Sequence, residues 1–261
     1  MAGKNVRKFY DTYGWKSETG CGQYLNDKRY GPPEATFKDE KGCEARYWSY
    51  FDDGGKLFLD AGCGAKPITQ IGHKFQRHVC VDLSFTGLTE ARRKVGDQGY
   101  YVVADLSALP FKEQVFDGVI ASYCLYQLEN DAQVSAVKEF YRVARKNKMV
   151  IVFYVAKNSV ISVAHRVAKA VLKVLPKRRP AGSESLPPPD FYSQSPFRLS
   201  RGFPSVDITC LRTLSRVESH VLRKLGLLDP ALRMFSFLER KFPHAMLWVG
   251  AYAAIRIQKT E

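Results

Sequence analysis

A chain of 261 residues, 45% of them hydrophobic, is long enough for one large α/β domain or for one domain with a cap. It contains no run of about 18 apolar residues and no signal-peptide core near its start, so we expect no transmembrane helix and a cytoplasmic protein. The net charge of +14 lies in the second half, since residues 1–140 hold 18 Lys and Arg against 19 Asp and Glu, whereas residues 141–261 hold 22 against 7.

The N-terminal part, residues 1–55, is polar and aromatic, with several glycine and proline turn signals. We expect loops there, with a helix near residues 43–52, and we interpret the whole stretch as a lid segment. The aromatic run at residues 9–15 (FYDTYGW) is our candidate for a flap that closes over a ligand.

Short β-rich runs then alternate with helical patterns. The predicted strands are Lys56–Asp60, His78–Asp82, Tyr100–Asp105, Phe116–Ser122 and Met149–Val155. The predicted helices between them are Phe85–Val95 and Asp131–Arg145. This alternation predicts a Rossmann-like, doubly wound α/β sheet, mostly parallel and covered by helices on both faces. We place this core at residues 56–156.

After residue 156 the alternation stops. Residues 157–204 contain an apolar and basic helical pattern at Ser159–Leu175 and a proline-rich stretch, and they are predicted to form a cap insertion that shapes the acceptor site. Residues 205–261 are predicted to close the same domain. We expect strands at Val206–Leu214 and Leu247–Ile257, with a mostly helical segment at Arg216–Phe242 between them and an antiparallel terminal strand.

Four features mark the carboxyl ends of successive predicted strands, where ligands bind in open α/β sheets. A glycine-containing turn, LDAGCG, follows the first strand, and Asp82 ends the second strand about 20 residues later. Asp105 ends the third strand and Ser122-Tyr123 end the fourth. Each feature alone is weak, because an aspartate at such a position also serves as a helix cap or turn former. Their common register indicates a nucleotide-type cofactor.

The segments LDAGCG, VDLS, ADLSALPF and FDGVIASYCLYQL resemble motifs I to IV of the class I S-adenosylmethionine-dependent methyltransferases. The closest subgroup includes ubiquinone- and menaquinone-biosynthesis enzymes and many small-molecule methyltransferases. The resemblance covers residues 56–155 and is weak over residues 1–55 and 157–204. A nicotinamide dinucleotide is the main rival ligand, but the G-x-G-x-x-G pattern is absent because position 67 is proline.

The resemblance implies a role for each cofactor residue, with S-adenosyl-L-methionine as the cofactor. Residues Asp60, Gly62 and Gly64 would face its methionine part, Asp82 its ribose hydroxyls and Leu83 its adenine. The adenine amino group would donate to Asp105 beside Leu106, and Ser122 and Tyr123 would flank the sulfonium and the substrate entry. The chain departs from the family at Lys66, where many members carry a third glycine, so the loop takes a different path or Lys66 pairs with the cofactor carboxylate.

Methyl transfer from a sulfonium requires alignment and exclusion of water more than covalent help. Tyrosine rings near the expected mouth can stabilise the sulfonium charge through their faces. The substrate-binding candidates are Tyr10, Tyr13, Tyr126 and Tyr192. No catalytic base is assigned, since each histidine is better explained as a structural or surface residue, and His78 is expected to lie at the far edge of the sheet. No histidine and cysteine cluster predicts a metal site.

The most direct prediction is methyl transfer to an oxygen, nitrogen or activated carbon of a small-molecule metabolite. The alternatives are an RNA or lipid-substrate methyltransferase, given the basic second half, and a protein that holds the cofactor without catalysis. The pattern at Ser159–Leu175, followed by Lys177, Arg178 and Arg179, fits either a packed cap helix or a peripheral membrane contact with an anionic surface. We expect no DNA partner.

Overall fold

In the computed structural model, residues 2–15, 43–155 and 190–260 are described. Seven strands run through these residues and form one sheet. Their bounds are β1 Gly55–Ala61, β2 Phe75–Asp82, β3 Gly99–Val103, β4 Gly118–Ser122, β5 Met149–Val155, β6 Val206–Arg212 and β7 Tyr252–Gln258.

The strand order is β3-β2-β1-β4-β5-β7-β6. Strands β1 to β5 pair in parallel, whereas β7 is antiparallel to both β5 and β6. Successive strands are added on one side of β1 up to β3 and on its other side from β4 onward, and this switch in strand order between β1 and β4 creates the crevice where open α/β sheets bind ligands. The predicted fold class, a mostly parallel Rossmann-like sheet with an antiparallel terminal strand, is confirmed.

Seven α-helices lie wholly within the described part of the chain, and four of them are no longer than nine residues. They are α1 Ala2–Phe9, α2 Thr69–Gly72, α3 Phe85–Val95, α4 Asn130–Val143, α5 Pro196–Leu199, α6 Arg216–Lys224 and α7 Leu228–Lys241. Shorter helical turns occur at Tyr10–Gly14, Trp48–Phe51, Gly96–Gln98, Leu125–Gln127 and Ala245–Trp248.

The sheet is apolar on both faces because its strands are central and parallel. Leu59 of β1 packs on one face in a cluster that includes Phe140 of α4, while its neighbour Phe58 packs on the other face against Phe51 and Phe75. The alternation of side chains along β1 therefore fixes which helices cover which face.

Several local predictions differ from the structure. Strand β2 begins at Phe75, β4 begins at Gly118, and β3 ends at Val103, so Asp105 lies in the loop after β3. Near residues 43–52, where a helix was expected, residues 43–45 are helical and a separate helical turn follows at Trp48–Phe51.

The last strand begins at Tyr252 and not near residue 247, because residues 246–250 turn tightly and Gly250 donates to the carbonyl of Met246 at 2.8 Å. A side chain at Gly250 would lie 2.5 Å from Cys210 Sγ, so this close contact with β6 needs glycine.

The domain boundaries stay predictions. Most of the expected cap insertion, including Ser159–Leu175 and Lys177, Arg178 and Arg179, lies outside the described residues, as does residue range 16–42 of the lid. Within the described ranges, no helix is long and apolar enough to cross a bilayer.

Candidate active site

The carboxyl ends of β1, β2 and β4 meet at one edge of the sheet, which we call the ligand edge. Parallel pairing places Ala61 beside Val81 of β2 and beside Ala121 of β4. The segments that follow these three strands therefore start side by side. The residues that the sequence marked as cofactor contacts lie on these segments.

The loop after β1, residues 62–68, which we call the glycine loop, approaches its neighbours too closely for side chains. Gly62 (φ +70°) and Gly64 (φ +50°) both adopt left-handed backbone, which favours glycine. A Cβ on Gly62 would lie 2.6 Å from the Cys124 side chain, and one on Gly64 would lie 2.2 Å from the Trp15 ring. Because Gly62 packs against the loop after β4, we expect its replacement to disturb the fold as well as the ligand site.

Asp82, at the end of β2, binds the glycine loop directly. Its Oδ2 accepts a hydrogen bond from Gly64 N at 2.8 Å, and its Oδ1 accepts one from Ser84 N at 2.8 Å. Burial raises the pKa of this carboxyl to about 6, although the N–H groups of Ser84 and Gly64 act to lower it. The helix α3 that follows is capped by Ser84, whose hydroxyl accepts from Gly87 N.

Asp60 supports the loop from within the domain and does not present a free carboxylate at the edge. It is 1% exposed, and its Oδ2 accepts hydrogen bonds from Ile68 N at 2.7 Å and from His78 Nε2 at 3.2 Å. The far end of the glycine loop is thereby tied to β1. A direct contact of Asp60 with the methionine part of a cofactor stays a prediction.

The expectation that His78 lies away from the site is wrong. Its ring is buried in the middle of β2, because β2 begins at Phe75 and not at His78. Burial acts to lower the pKa of His78, but hydrogen bonds to Asp60 and Cys80 raise it to about 9. His78 is therefore a cationic partner of Asp60 behind the glycine loop.

The loop after β3 is more open. Asp105 is exposed, and its Oδ1 accepts hydrogen bonds from the N–H and the hydroxyl of Ser107, at 2.8 and 2.7 Å. Both bonds go to Oδ1 and form a local turn of the kind that aspartate makes with the backbone two residues on. Leu106 is buried and lies beside Gly62, and Leu83 is half-buried after β2.

Two features of the loop after β4 indicate a ligand site. The Ser122 hydroxyl is buried and, among the described residues, has no hydrogen-bond partner. Tyr123 adopts φ +53°, a conformation that is strained for a residue with a side chain and that occurs preferentially at functional sites. Its ring packs against Phe153 and Tyr252.

The N-terminal segment 2–15, our candidate flap, lies against the ligand edge, and its closure over a ligand stays a prediction. Asp11 Oδ1 accepts from the Ser84 hydroxyl at 2.6 Å and from Thr86 N at 3.1 Å, so the flap adds a second cap to α3. The Trp15 ring lies between Gly64 and Gly87. The flap thus contacts both the glycine loop and the helix that follows β2.

The four tyrosines predicted to bind substrate divide into two pairs. Tyr10 is buried against Trp15, accepts a hydrogen bond from Gln127 and belongs to the flap, where Tyr13 packs on Phe9. The second pair is Tyr126, which stacks on Phe191 at 4.4 Å, and Tyr192, whose N–H donates to the Tyr126 carbonyl at 2.7 Å. Gln127 brings the two pairs near each other.

Lys66 is exposed on the glycine loop.

The sequence did not single out four residues that assemble this site: Asp11, Trp15, Ser84 and His78. Trp15 and Asp11 were visible only as members of an aromatic run, since their partners lie about 50 to 75 residues away. Ser84 carries a local signal that was available, because a serine directly before a helix is a frequent N-cap. His78 carries none, since its role depends on its pairing with Asp60 across two strands.

Comparison with known proteins gives a consistent result for the core. Residues 59–152 match the family model described as a methyltransferase domain. The malonyl-[acyl-carrier protein] O-methyltransferase of Hamiltonella defensa subsp. Acyrthosiphon pisum (strain 5AT) is 33% identical over 107 residues. That match covers 41% of this chain and 40% of the relative, so the chain aligns with less than half of the relative's length.

Two solved structures cover nearly the whole chain. The geranyl diphosphate C-methyltransferase from Streptomyces coelicolor A3(2), in complex with Mg²⁺, geranyl diphosphate and S-adenosyl-L-homocysteine, matches with a TM-score of 0.60 and 13% identity over 99% of this chain and 98% of that one. The [4+2]-cyclase SpnF matches with a TM-score of 0.56 and 14% identity over 100% and 97%. At such identities both similarities establish the fold and nothing further.

Proposed function

We propose that the chain transfers a methyl group from S-adenosyl-L-methionine to a small-molecule metabolite, since residues 59–152 match a methyltransferase domain. The observation that carries the proposal is the contact between the glycine loop and the acid of β2, in which Gly64 N donates to Asp82 at 2.8 Å. This contact places a glycine backbone, which a ligand can approach closely, next to a carboxylate. Both lie where the strand order of the sheet changes direction, which is where open α/β sheets bind ligands.

The residues at the ligand edge fit the cofactor. A Cβ on Gly62 would meet the Cys124 side chain and one on Gly64 would meet the Trp15 ring, so both positions of the loop need glycine. Asp82 is a carboxylate acceptor for two ribose hydroxyls, and Asp105 is an acceptor for the adenine amino group. The buried Ser122 hydroxyl needs a partner, which a ligand at this edge would supply.

The cofactor supplies an already activated methyl group on a sulfonium when it is bound. The protein then has to hold the acceptor in line with that methyl group and keep water out. In this proposal Asp82 and the glycine loop fix the cofactor, while the flap with Tyr10 and Trp15 covers it. The tyrosines Tyr126 and Tyr192 border the acceptor side.

The acceptor is assigned only as an oxygen, nitrogen or activated carbon. The relatives act on different atoms, because one is an O-methyltransferase and another a C-methyltransferase. The match to a [4+2]-cyclase illustrates that this fold also supports other chemistry. A protein that holds the cofactor without methyl transfer is therefore the second candidate.

Two measurements on the full chain test the proposal. Titration calorimetry should detect S-adenosylhomocysteine with micromolar affinity, and Asp82→Ala should weaken binding by roughly 1.5–3 kcal/mol because hydrogen bonds to a charged acceptor are lost. Binding of NAD without a response to S-adenosylhomocysteine would reject the assignment.

Turnover distinguishes the two candidates. The chain is incubated with methyl-labelled S-adenosylmethionine and a fractionated metabolite extract, and transfer of label is measured for the native chain and for Asp82→Ala. Label in a small molecule, lost in the variant, supports the proposal. Tight cofactor binding with no labelled product from metabolites, lipids or RNA favours the second candidate. Label found only in RNA would mean that the acceptor is RNA and not a small molecule.

A further inference from the structure

The two helices between β6 and β7, α6 and α7, together with the turn that follows them form a unit with an unusual surface, which we call the helical hairpin (residues 216–248). Large apolar side chains on it are about half exposed or more: Val221, Leu225, Leu227, Met234, Phe237, Phe242 and Trp248. Phe237 is 58% exposed and Trp248 is 70% exposed. Soluble monomers rarely expose so many large apolar groups in one stretch of chain, so this surface calls for a partner.

The hairpin is held on the domain, so its outward face is fixed. Glu239 of α7 is buried, and its Oε1 accepts a hydrogen bond from Thr213 N at 2.7 Å while Arg46 lies 3.9 Å away. Leu228 at the start of α7 and Met246 after it are buried as well. The face of α7 opposite Glu239 therefore points away from the sheet.

Basic side chains lie among the exposed apolar ones. On α7, Met234, Phe237 and Lys241 follow each other at intervals of three and four residues and share one face. Arg233 and Arg240 are exposed beside them. Residues 216–248 contain six Lys and Arg against three Asp and Glu, and one of those acids is the buried Glu239.

We propose that the helical hairpin docks on the surface of a bilayer that contains anionic lipids. A helix with aromatic and aliphatic side chains on one face, bordered by Lys and Arg, inserts its apolar groups at the headgroup boundary while the cations bind lipid phosphates. Long basic side chains can extend toward the headgroups from a partly inserted helix. Charge complementarity thus selects an anionic lipid surface over an uncharged apolar partner.

The position of the hairpin gives this contact a consequence. It leaves the sheet at Arg212, the end of β6, and returns at Tyr252, the start of β7. Both lie at the ligand edge, where Tyr252 packs against Tyr123. A docked hairpin therefore places the ligand edge close to the bilayer, whatever reaction the site carries out.

The test is co-sedimentation of the full chain with vesicles of phosphatidylcholine alone and with 30% phosphatidylserine, at low and high salt. We expect binding to the anionic vesicles only, and weaker binding at high salt. Replacing Arg233, Arg240 and Lys241 by Gln should weaken binding roughly 100-fold, because each cation near an anionic surface contributes about fivefold. The double variant Met234→Ser with Phe237→Ser should weaken it about tenfold or more.

Matched variants outside the helical hairpin control for general effects. Arg93, Lys112 and Lys138 are exposed cations on α3, on the β3–β4 connection and on α4, and their triple Gln variant should bind vesicles like the native chain. Tyr100→Ser replaces an exposed aromatic residue on β3, the far edge strand, and should likewise have no effect. Circular dichroism of each variant checks that the fold is retained.

Three outcomes would overturn the proposal. One is equal binding to neutral and anionic vesicles, or none at all. A second is that Lys177, Arg178 and Arg179 variants abolish binding while the hairpin variants leave it intact, which would transfer the contact to residues 177–179. The third is binding to another partner through the exposed face of the hairpin. It would appear as a dimer in light scattering that Phe237→Ser dissociates, or as retention of the native chain on RNA and not on vesicles.

Discussion

At the ligand edge, polar side chains lie inside the protein, whereas on the helical hairpin large apolar side chains lie outside it. Asp60 is 1% exposed and is held by His78 and Ile68, and Asp82 is held by two backbone N–H groups. On the hairpin, Phe237 and Trp248 are mostly exposed. Both arrangements run against the ordinary distribution of residues, in which charged groups are outside and large apolar groups inside.

The difference indicates two kinds of ligand. Buried carboxylates retain unused hydrogen-bonding capacity and suit a polar ligand that enters a narrow space. Exposed apolar groups among cations suit a broad amphiphilic surface. A substitution at one region should therefore change one kind of binding and leave the other unchanged, and the predictions below test that separation.

The largest effect is expected from Gly64→Ala at the ligand edge, compared with Gly226→Ala on the hairpin. Both glycines have positive φ, +50° and +70°, so both variants carry similar backbone strain of about 1 kcal/mol. Only Gly64 has a close neighbour, the Trp15 ring at 2.2 Å from its added Cβ, while Gly226 has nothing within 4 Å. We expect Gly64→Ala to weaken S-adenosylhomocysteine binding at least roughly 100-fold, because the loop must shift.

Calorimetry and urea denaturation of both variants separate affinity from stability. Gly226→Ala should retain native affinity, and its free energy of unfolding should fall only by the amount of the backbone strain. Equal losses of affinity in the two variants would mean that strain, and not close approach, explains the glycine at position 64.

A smaller effect, with a defined pH dependence, is expected at Asp82. The carboxyl must be ionised to accept hydrogen bonds from two hydroxyls, and burial raises its pKa to about 6. Cofactor affinity should therefore be constant above about pH 7 and fall by up to about tenfold for each pH unit below 6. The measurement is the dissociation constant of S-adenosylhomocysteine between pH 5 and pH 8.

Asp82→Asn is the control for this dependence, since it has no proton to gain and should bind weakly at every pH. Vesicle binding by the same variant should match that of the native chain. If Asp82→Asn kept the native pH profile of affinity, the ionisation of another group would have to cause the pH dependence, and the prediction for Asp82 would be wrong.

Much of the fold followed from the sequence because the strands are central. The run Met149–Val155 is the clearest case, and both of its bounds were predicted correctly. The predicted bounds of β1 to β4 each differ from the structure at one or both ends. Asp82, Gly62 and Gly64 were found from the sequence because each follows or ends an apolar run that predicts a strand. The predicted Asp82 position at the end of β2 agrees with the structure.

The remaining features depend on contacts between distant segments. His78 was misplaced because a buried histidine and a strand-starting histidine look alike in one sequence, and only pairing with β1 distinguishes them. The docking of Asp11 on Ser84 and Thr86 joins residues more than 70 positions apart. The exposed face of α7 was unpredictable too, since an amphipathic pattern does not say which of its faces the domain covers.

The smallest effect concerns the flap, through Asp11→Ala. Asp11 Oδ1 accepts from Thr86 N and from the Ser84 hydroxyl at the positive end of α3, an arrangement typical of helix capping. Its loss should free segment 2–15 from the helix and weaken S-adenosylhomocysteine binding roughly fivefold, which corresponds to about 1 kcal/mol for a lost cap. Stopped-flow fluorescence of Trp15 should show faster dissociation, because an unfastened flap leaves the ligand uncovered.

Arg7→Ala is the matched control for this prediction. Arg7 pairs with Asp11 Oδ2 at 3.4 Å on the surface, and such exposed pairs contribute little, so its removal should leave the Asp11 contacts to α3 and the ligand affinity unchanged. The sign of the Asp11→Ala effect is decisive, because the Trp15 ring lies against Gly64 in this structure. Weaker binding means that the flap covers the ligand, whereas tighter binding would mean that Trp15 competes for the same space and that segment 2–15 inhibits the site.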